Sequence, residues 1–241
     1  MTKKIALVTG ATRGIGREIA RQLGQSGHQV VVGARDLGRG QATAKELVAE
    51  GIDAVAVQLE VTDQESIQAA AEWIGQEFGR LDVLVNNAAV IADGDAAVGV
   101  VPVEALRRSF EVNVVAVAAV IQAMLPLLKA APAARIVNLS SELASLTRVG
   151  DPASPMSTIL TAGYNASKVA VNMLTVMLAT ELSADGILVN AADPGNCATE
   201  MGGWDAPRTP AQGAAVAVRL ATLPADGPTG ELHAEDGRLP W

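Results

Sequence analysis

The chain has 241 residues, 49% of them hydrophobic, with a net charge of −8 and a pI near 4.8. So acidic a chain lacks the basic surface that nucleic acid or an anionic membrane requires, and neither is expected as a partner. One cysteine, Cys197, and two histidines, His28 and His233, leave no material for a disulfide framework or a Cys/His metal cluster, and the Gly-x-Ser-x-Gly of a serine hydrolase is absent.

The apolar content is ample for a core, and a chain this size buries roughly 70 to 75% of its unfolded surface. The N-terminus leads into a strand without a signal-peptide core, and no consecutive apolar run reaches the ~18 residues of a membrane span, so a cytoplasmic location is expected.

Ile5 to Thr9 is a short apolar run of the buried parallel-strand type. It is followed at once by Gly10-Ala-Thr12-Arg13-Gly14-Ile15-Gly16 and a helix with Ile15, Ile19 and Leu23 on one stripe. Strand, glycine turn and helix start form a phosphate-binding context. Glycines let the backbone approach a pyrophosphate, and the free N–H groups and dipole of the helix favour an anion. The spacing is G-x3-G-x-G rather than G-x-G-x-x-G.

Gln29 to Gly33 reads as the second strand, ending in Ala34-Arg35-Asp36, with Arg39 after it. An acid here accepts hydrogen bonds from the ribose 2′-hydroxyl of NAD, whereas arginines suit the 2′-phosphate of NADP. Arg13, Arg35 and Arg39 against Asp36 point to NADP(H), preferred over NAD(H); solvated loop charge is the plainer reading. Gly40 to Glu50 reads as a helix, Ala54 to Gln58 as the third strand, and Thr62 or Asp63 as the cap of a helix running to Phe78.

Leu81 to Ala89 reads as a fourth strand carrying Asn86 and Asn87 at its carboxyl end, where open α/β sheets bind ligands. Pro102 suits the start of a long helix carrying Asn113, which is costly to bury without partners. Arg135 to Leu139 is a fifth strand delivering Ser140 and Ser141 to the same end. Glu142 to Thr161 has no clean period and reads as a long loop.

The next segment holds the chain's single tyrosine, Tyr164, four residues before Lys168. On a helix the two share a face. Ala166, Val169, Ala170, Met173, Leu174, Met177 and Leu178 form the opposite, apolar stripe, so periodicity alone describes a helix with its polar face in water. Leu188 to Ala192 is a sixth strand ending at Asp193-Pro-Gly-Asn-Cys-Ala-Thr199. A candidate lid around Trp204, a helix from Ala211 to Leu223 and a last strand from Thr229 to His233 follow.

Taken together, Thr9 to Gly16, Asn86-Asn-Ala-Ala89, Asn113, Ser140-Ser141, Tyr164-Asn-Ala-Ser-Lys168 and Pro194 to Thr199 resemble, in that order and over essentially the whole chain, the short-chain dehydrogenase/reductase family. Within it, the arginines and the long Ser-to-Tyr interval are most similar to the monomeric, NADPH-dependent carbonyl reductases.

The resemblance implies one Rossmann-type domain over 1–241, a doubly wound parallel α/β sheet of about seven strands with helices on both faces. The nucleotide half would be about 1–90 and the catalytic and lid half about 91–241. It implies an NADPH-dependent reductase of ketones or aldehydes, the alternatives being an NAD-linked alcohol dehydrogenase and a non-catalytic NADP-sensing regulator.

By the same resemblance Tyr164 is the general acid, Ser141 orients the carbonyl, Lys168 binds the nicotinamide ribose and lowers the tyrosine pKa, and Asn113 holds a water of the proton relay. Gly10, Thr12, Arg13, Gly14, Ile15, Gly16, Arg35, Arg39, Glu60, Val61, Asn87, Ala88, Tyr164, Lys168, Pro194, Gly195 and Thr199 would bind cofactor. Departures are Glu60 for the commoner aspartate, Ala89 for a glycine, and a Ser141–Tyr164 interval about ten residues longer than usual. That insert could cover the helices through which many relatives associate, so a monomer is expected, with dimer and tetramer as alternatives.

Overall fold

The structure, a computed structural model, describes residues 3–241. Its frame is one eight-stranded sheet in the order β3-β2-β1-β4-β5-β6-β7-β8. β1 (Ile5–Thr9), β2 (Gln29–Ala34), β3 (Ala54–Gln58), β4 (Val83–Asn86), β5 (Arg135–Leu139), β6 (Leu188–Ala192) and β7 (Leu232–Ala234) run parallel. The eighth strand, β8 (Gly237–Leu239), turns back antiparallel against β7. The expected doubly wound parallel sheet of about seven strands is present, and this hairpin, whose three-residue strands are too short to show a period, adds an eighth.

Successive side chains of a strand face opposite sides. Ile5 and Leu7 enter one core layer, with α3 (Gln64–Phe78), α5 (Ala116–Lys129) and α7 (Ala162–Glu181). Ala6 and Val8 enter the other, with α1 (Gly14–Gln25), α2 (Leu37–Ala49) and α8 (Pro210–Ala221). With both faces covered, the β1 strand reads as an unbroken apolar run.

β4 is shorter than the expected Leu81–Ala89 because polar groups claim both ends. The buried Asp82 carboxylate accepts the Ile5 N–H at 2.8 Å and pairs with Arg80. Beyond Asn86 the chain bends so that the N–H groups of Asn87 and Ala88 donate to Thr9 Oγ1. α2 begins at Leu37, earlier than expected, because Asp36 caps it by accepting the Arg39 N–H.

α4 (Val103–Phe110) passes through a π-helical turn, Glu111–Val115, into α5. By length and apolarity this continuous helix could cross a membrane, a feature that counting consecutive apolar residues does not reveal. Its inner side instead joins the core through Val117, Val120, Ile121, Met124 and Leu128.

The segment read as a loop before Tyr164 contains short 3-10 turns, Glu142–Ala144 and Pro155–Thr158, and a one-turn helix, α6 (Leu146–Val149).

The orientation of α7 reverses what periodicity alone suggests. Lys168, Asn172 and Thr175 are buried, whereas Met173 and Met177 are 60% and 59% exposed. The reason is a set of polar partners within the sheet layer: Asn138 Nδ2 donates to Thr175 Oγ1 at 2.9 Å, and Ser140 Oγ donates to Asn172 Oδ1 at 2.6 Å. Those two methionines stand open, and the insert does not cover them.

Candidate active site

At the carboxyl end of the sheet lies a cavity of about 450 Å³. Its floor begins at the glycine turn. Gly10 and Gly14 have φ of +64° and +53°, which side chains rarely adopt. Gly16 is required for space: a Cβ there would collide with Asn87 Nδ2 and the Gly10 carbonyl. Asn87 secures the turn, donating its amide to Thr9 O at 2.9 Å and Gly10 O at 3.2 Å. α1 has no side-chain cap and no acid in its first turn, so its start stays electropositive.

Arg13, Arg35, Asp36 and Arg39 all line the cavity. Asp36 is engaged as the α2 cap, with Arg39 Nε 3.9 Å from its Oδ2. Arg13 pairs with Glu200 across the cleft mouth. Arg35 has no ion-pair partner among the described residues. Glu60 turns its carboxylate to Thr62, accepting that residue's N–H at 3.2 Å and hydroxyl at 3.0 Å, while Val61 forms wall beside it.

Every expected cofactor residue lines the cavity except Gly195, whose φ of +68° turns the chain after Pro194. Thr199 reaches Gly14 from above: its Cγ2 would sit 3.3 Å from a Cβ on that glycine. Ala89, which stands where relatives commonly have glycine, does not have a positive φ; among the described residues only glycines do.

α7 brings Tyr164 and Lys168 onto the same cavity. The Lys168 ammonium lies 5.6 Å from the Tyr164 ring centroid and donates to Leu139 O at 2.6 Å. Burial pushes Lys168 down to about 8. The Tyr164 phenol lies above its ordinary value. Burial and then the Asp193 charge raise Tyr164 to about 12, against a lowering hydrogen bond from Ser141. Ser140, also on the wall, has its hydroxyl engaged with Asn172, so Ser141 is the serine that meets the phenol.

Asn113 does not direct its side chain at Lys168. It accepts from Val90 N and donates to Val90 O, both at 2.9 Å, and donates to Ser167 Oγ at 3.0 Å. These bonds satisfy the amide that burial among valines made costly. They fix the β4–α4 connection to α7, with Asn113 in the π-helical turn.

Two acids were not legible in the sequence as site residues. Asp193 is buried, its Oδ1 accepting the Gly195 N–H at 3.1 Å, and burial raises its pKa. Glu142 and Arg148 bear on it from the insert, bonded to each other at 2.8 Å. Asp95, from the loop after β4, accepts from the backbone of Tyr164 at 2.8 Å.

A strand-delivered glycine turn, an electropositive helix start and a wall of arginines suit a dinucleotide with an added phosphate. Comparison with known proteins identifies a family. A short chain dehydrogenase family profile matches residues 4–208. The chain is 37% identical to human carbonyl reductase 3, named for NADPH, with 95% of each covered. It is 34% identical to the pig NADPH carbonyl reductase 1, over 99% of this chain and 94% of the relative. Among solved structures, NADPH-bound carbonyl reductase from chicken fatty liver superposes with a TM-score of 0.86 at 28% identity, covering 100% of both chains.

Proposed function

Since the chain belongs to the short-chain dehydrogenase family, and is thereby an NAD(P)-dependent oxidoreductase acting on CH–OH and C=O groups, we propose that it is an NADPH-dependent reductase of a ketone or aldehyde with Tyr164 as general acid. The observation that carries this reading is the Tyr164 phenol. Held at about 12 beside Ser141, it keeps its proton at neutral pH and serves as a donor.

The nucleotide would be held by about 1–90: the glycine turn at its pyrophosphate, Arg35 with Arg13 and Arg39 at the 2′-phosphate, Glu60, Val61 and Ala88 around the adenosine. Pro194, Gly195 and Thr199 would complete the nicotinamide end. When bound, NADPH supplies a hydride to the carbonyl carbon.

The chain's own residues manage the proton. Ser141 holds the carbonyl oxygen, Tyr164 protonates it, and the Lys168 ammonium stabilises the phenolate left behind. Asn113 keeps the β4–α4 loop and α7 in fixed relation. The substrate would enter against the loop from Ile91 to Val101, the insert and Trp204, which is 77% exposed.

The test is Tyr164→Phe. Carbonyl-dependent NADPH oxidation should fall by about 10²- to 10⁴-fold, the share general acid catalysis supplies, while NADPH still binds by fluorescence titration. Turnover near the parent rate would refute the assignment.

A further inference from the structure

We infer that Asp95, in the loop between β4 and α4, is the positioning residue that sets Tyr164 in place, an inference that rests on reading Tyr164 as the general acid. The first N–H groups of any helix need partners from outside its own turns. α7 gets none from its flanking Thr161, whose hydroxyl donates to Asn165 Oδ1 at 2.8 Å. Its partners come from the distant loop. Ala162 N donates to Ala96 O at 3.0 Å, Gly163 N to Asp95 Oδ1 at 2.9 Å, and Tyr164 N to Asp95 Oδ2 at 2.8 Å.

Both carboxylate oxygens are thus used on consecutive residues, one of them the tyrosine itself. The bonds are charge-assisted and lie at the positive end of a 20-residue helix, where an anion is favoured.

Gly163 makes the approach available. Its φ is not positive, so the backbone does not demand glycine. Space does: a Cβ there would lie 2.9 Å from the buried Ser109 Oγ and 3.2 and 3.3 Å from the two Asp95 oxygens. Loop, α4 and α7 therefore meet at one atom-wide gap. Any shift of the loop moves the Tyr164 backbone with it, and a displacement of about 1 Å at a reacting group costs on the order of a hundredfold in rate. Because the same loop is expected to border the substrate, its conformation and the alignment of the acid are one variable.

Two variants test the clamp by different routes. Asp95→Asn places an amide NH2 against an N–H donor and breaks one of the two bonds. Gly163→Ala crowds the carboxylate while improving helix propensity. For both, kcat should fall about 10- to 100-fold with the NADPH dissociation constant within twofold of the parent. The isotope effect with C4-deuterated NADPH should rise as chemistry becomes limiting, and Gly163→Ala should lose rate without losing thermal stability.

Parent-like kcat in folded Gly163→Ala, or a loss of rate matched by loss of NADPH binding in both variants, would overturn the inference. Should Asp95→Asn not fold, Gly163→Ala carries the test alone. Tyr164→Phe is run alongside: if it retains turnover the acid assignment itself is wrong, whereas an inactive Tyr164→Phe with parent-like Asp95→Asn and Gly163→Ala rejects the clamp only.

Discussion

Ser140 and Asn172 form a buried hydrogen bond of 2.6 Å, and it divides the labour of the serine pair. Ser140 ties β5 to α7; Ser141 is left to face the phenol. Ser140→Ala should strand a buried amide oxygen and cost about 1–3 kcal/mol of stability, seen as a lower urea midpoint, with kcat largely kept. Ser141→Ala should leave the midpoint near the parent value and lower kcat by about 10²–10³.

Cofactor choice should follow Arg35 rather than Asp36. Arg35 lines the cavity without an ion-pair partner among the described residues, whereas Asp36 is occupied as a helix cap. In Arg35→Ala the KM for NADPH should rise roughly 10- to 100-fold, the size of one charge-assisted fork, with that for NADH little changed. Asp36→Ala should cost about 1 kcal/mol of stability without reversing the preference.

The pH profile should carry the Asp193 charge. That carboxylate helps hold the Tyr164 proton, second only to burial. Asp193→Asn should therefore lower the phenol pKa and move the rise of alcohol oxidation with pH toward neutrality, measured with a secondary alcohol and NADP. Carbonyl reduction should decline as pH rises through about 8, where Lys168 gives up its charge. An unmoved oxidation profile in Asp193→Asn would count against the electrostatic role.

Stability should fall on acidification at His28. The ring is buried with Nε2 unpartnered, and burial lowers its pKa from 6.5. The unfolded chain then binds more protons than the folded one in this range, so unfolding free energy rises with pH. The contribution is present above 6.5 and lost as pH falls through the lower folded value. A neutral His28→Gln chain should show a flatter melting temperature between pH 7 and 5.

What the sequence disclosed, it disclosed by burial on both faces. β1, β3, β5 and β6 have the bounds expected of them, and β1, β5 and β6 are buried along their whole length. The limits of β4 are not legible because Asp82 and Asn87 bond to β1, a relation between residues 77 and 78 positions apart. The glycine turn and the Tyr164–Lys168 pair were legible as local spacings. Asp95 was not, since it serves backbone groups 68 and 69 residues away. The turns of the insert leave no sequence signal because a single helical turn such as α6 is shorter than any period.

The outward methionines of α7 invert the usual grammar of substitution. At Lys168, Asn172, Met173, Thr175 and Met177 hydropathy and burial run in opposite directions, so a scale that rewards greasy replacements would rank variants at these positions upside down. Leucine for Asn172 or valine for Thr175 would tear out partners held by Ser140 and Asn138, whereas glutamine at Met173 or Met177 asks nothing of the chain's own interior. A deep substitution scan would thus draw these positions of α7 as a photographic negative of an ordinary surface helix, dark at the polar residues and clear at the two methionines.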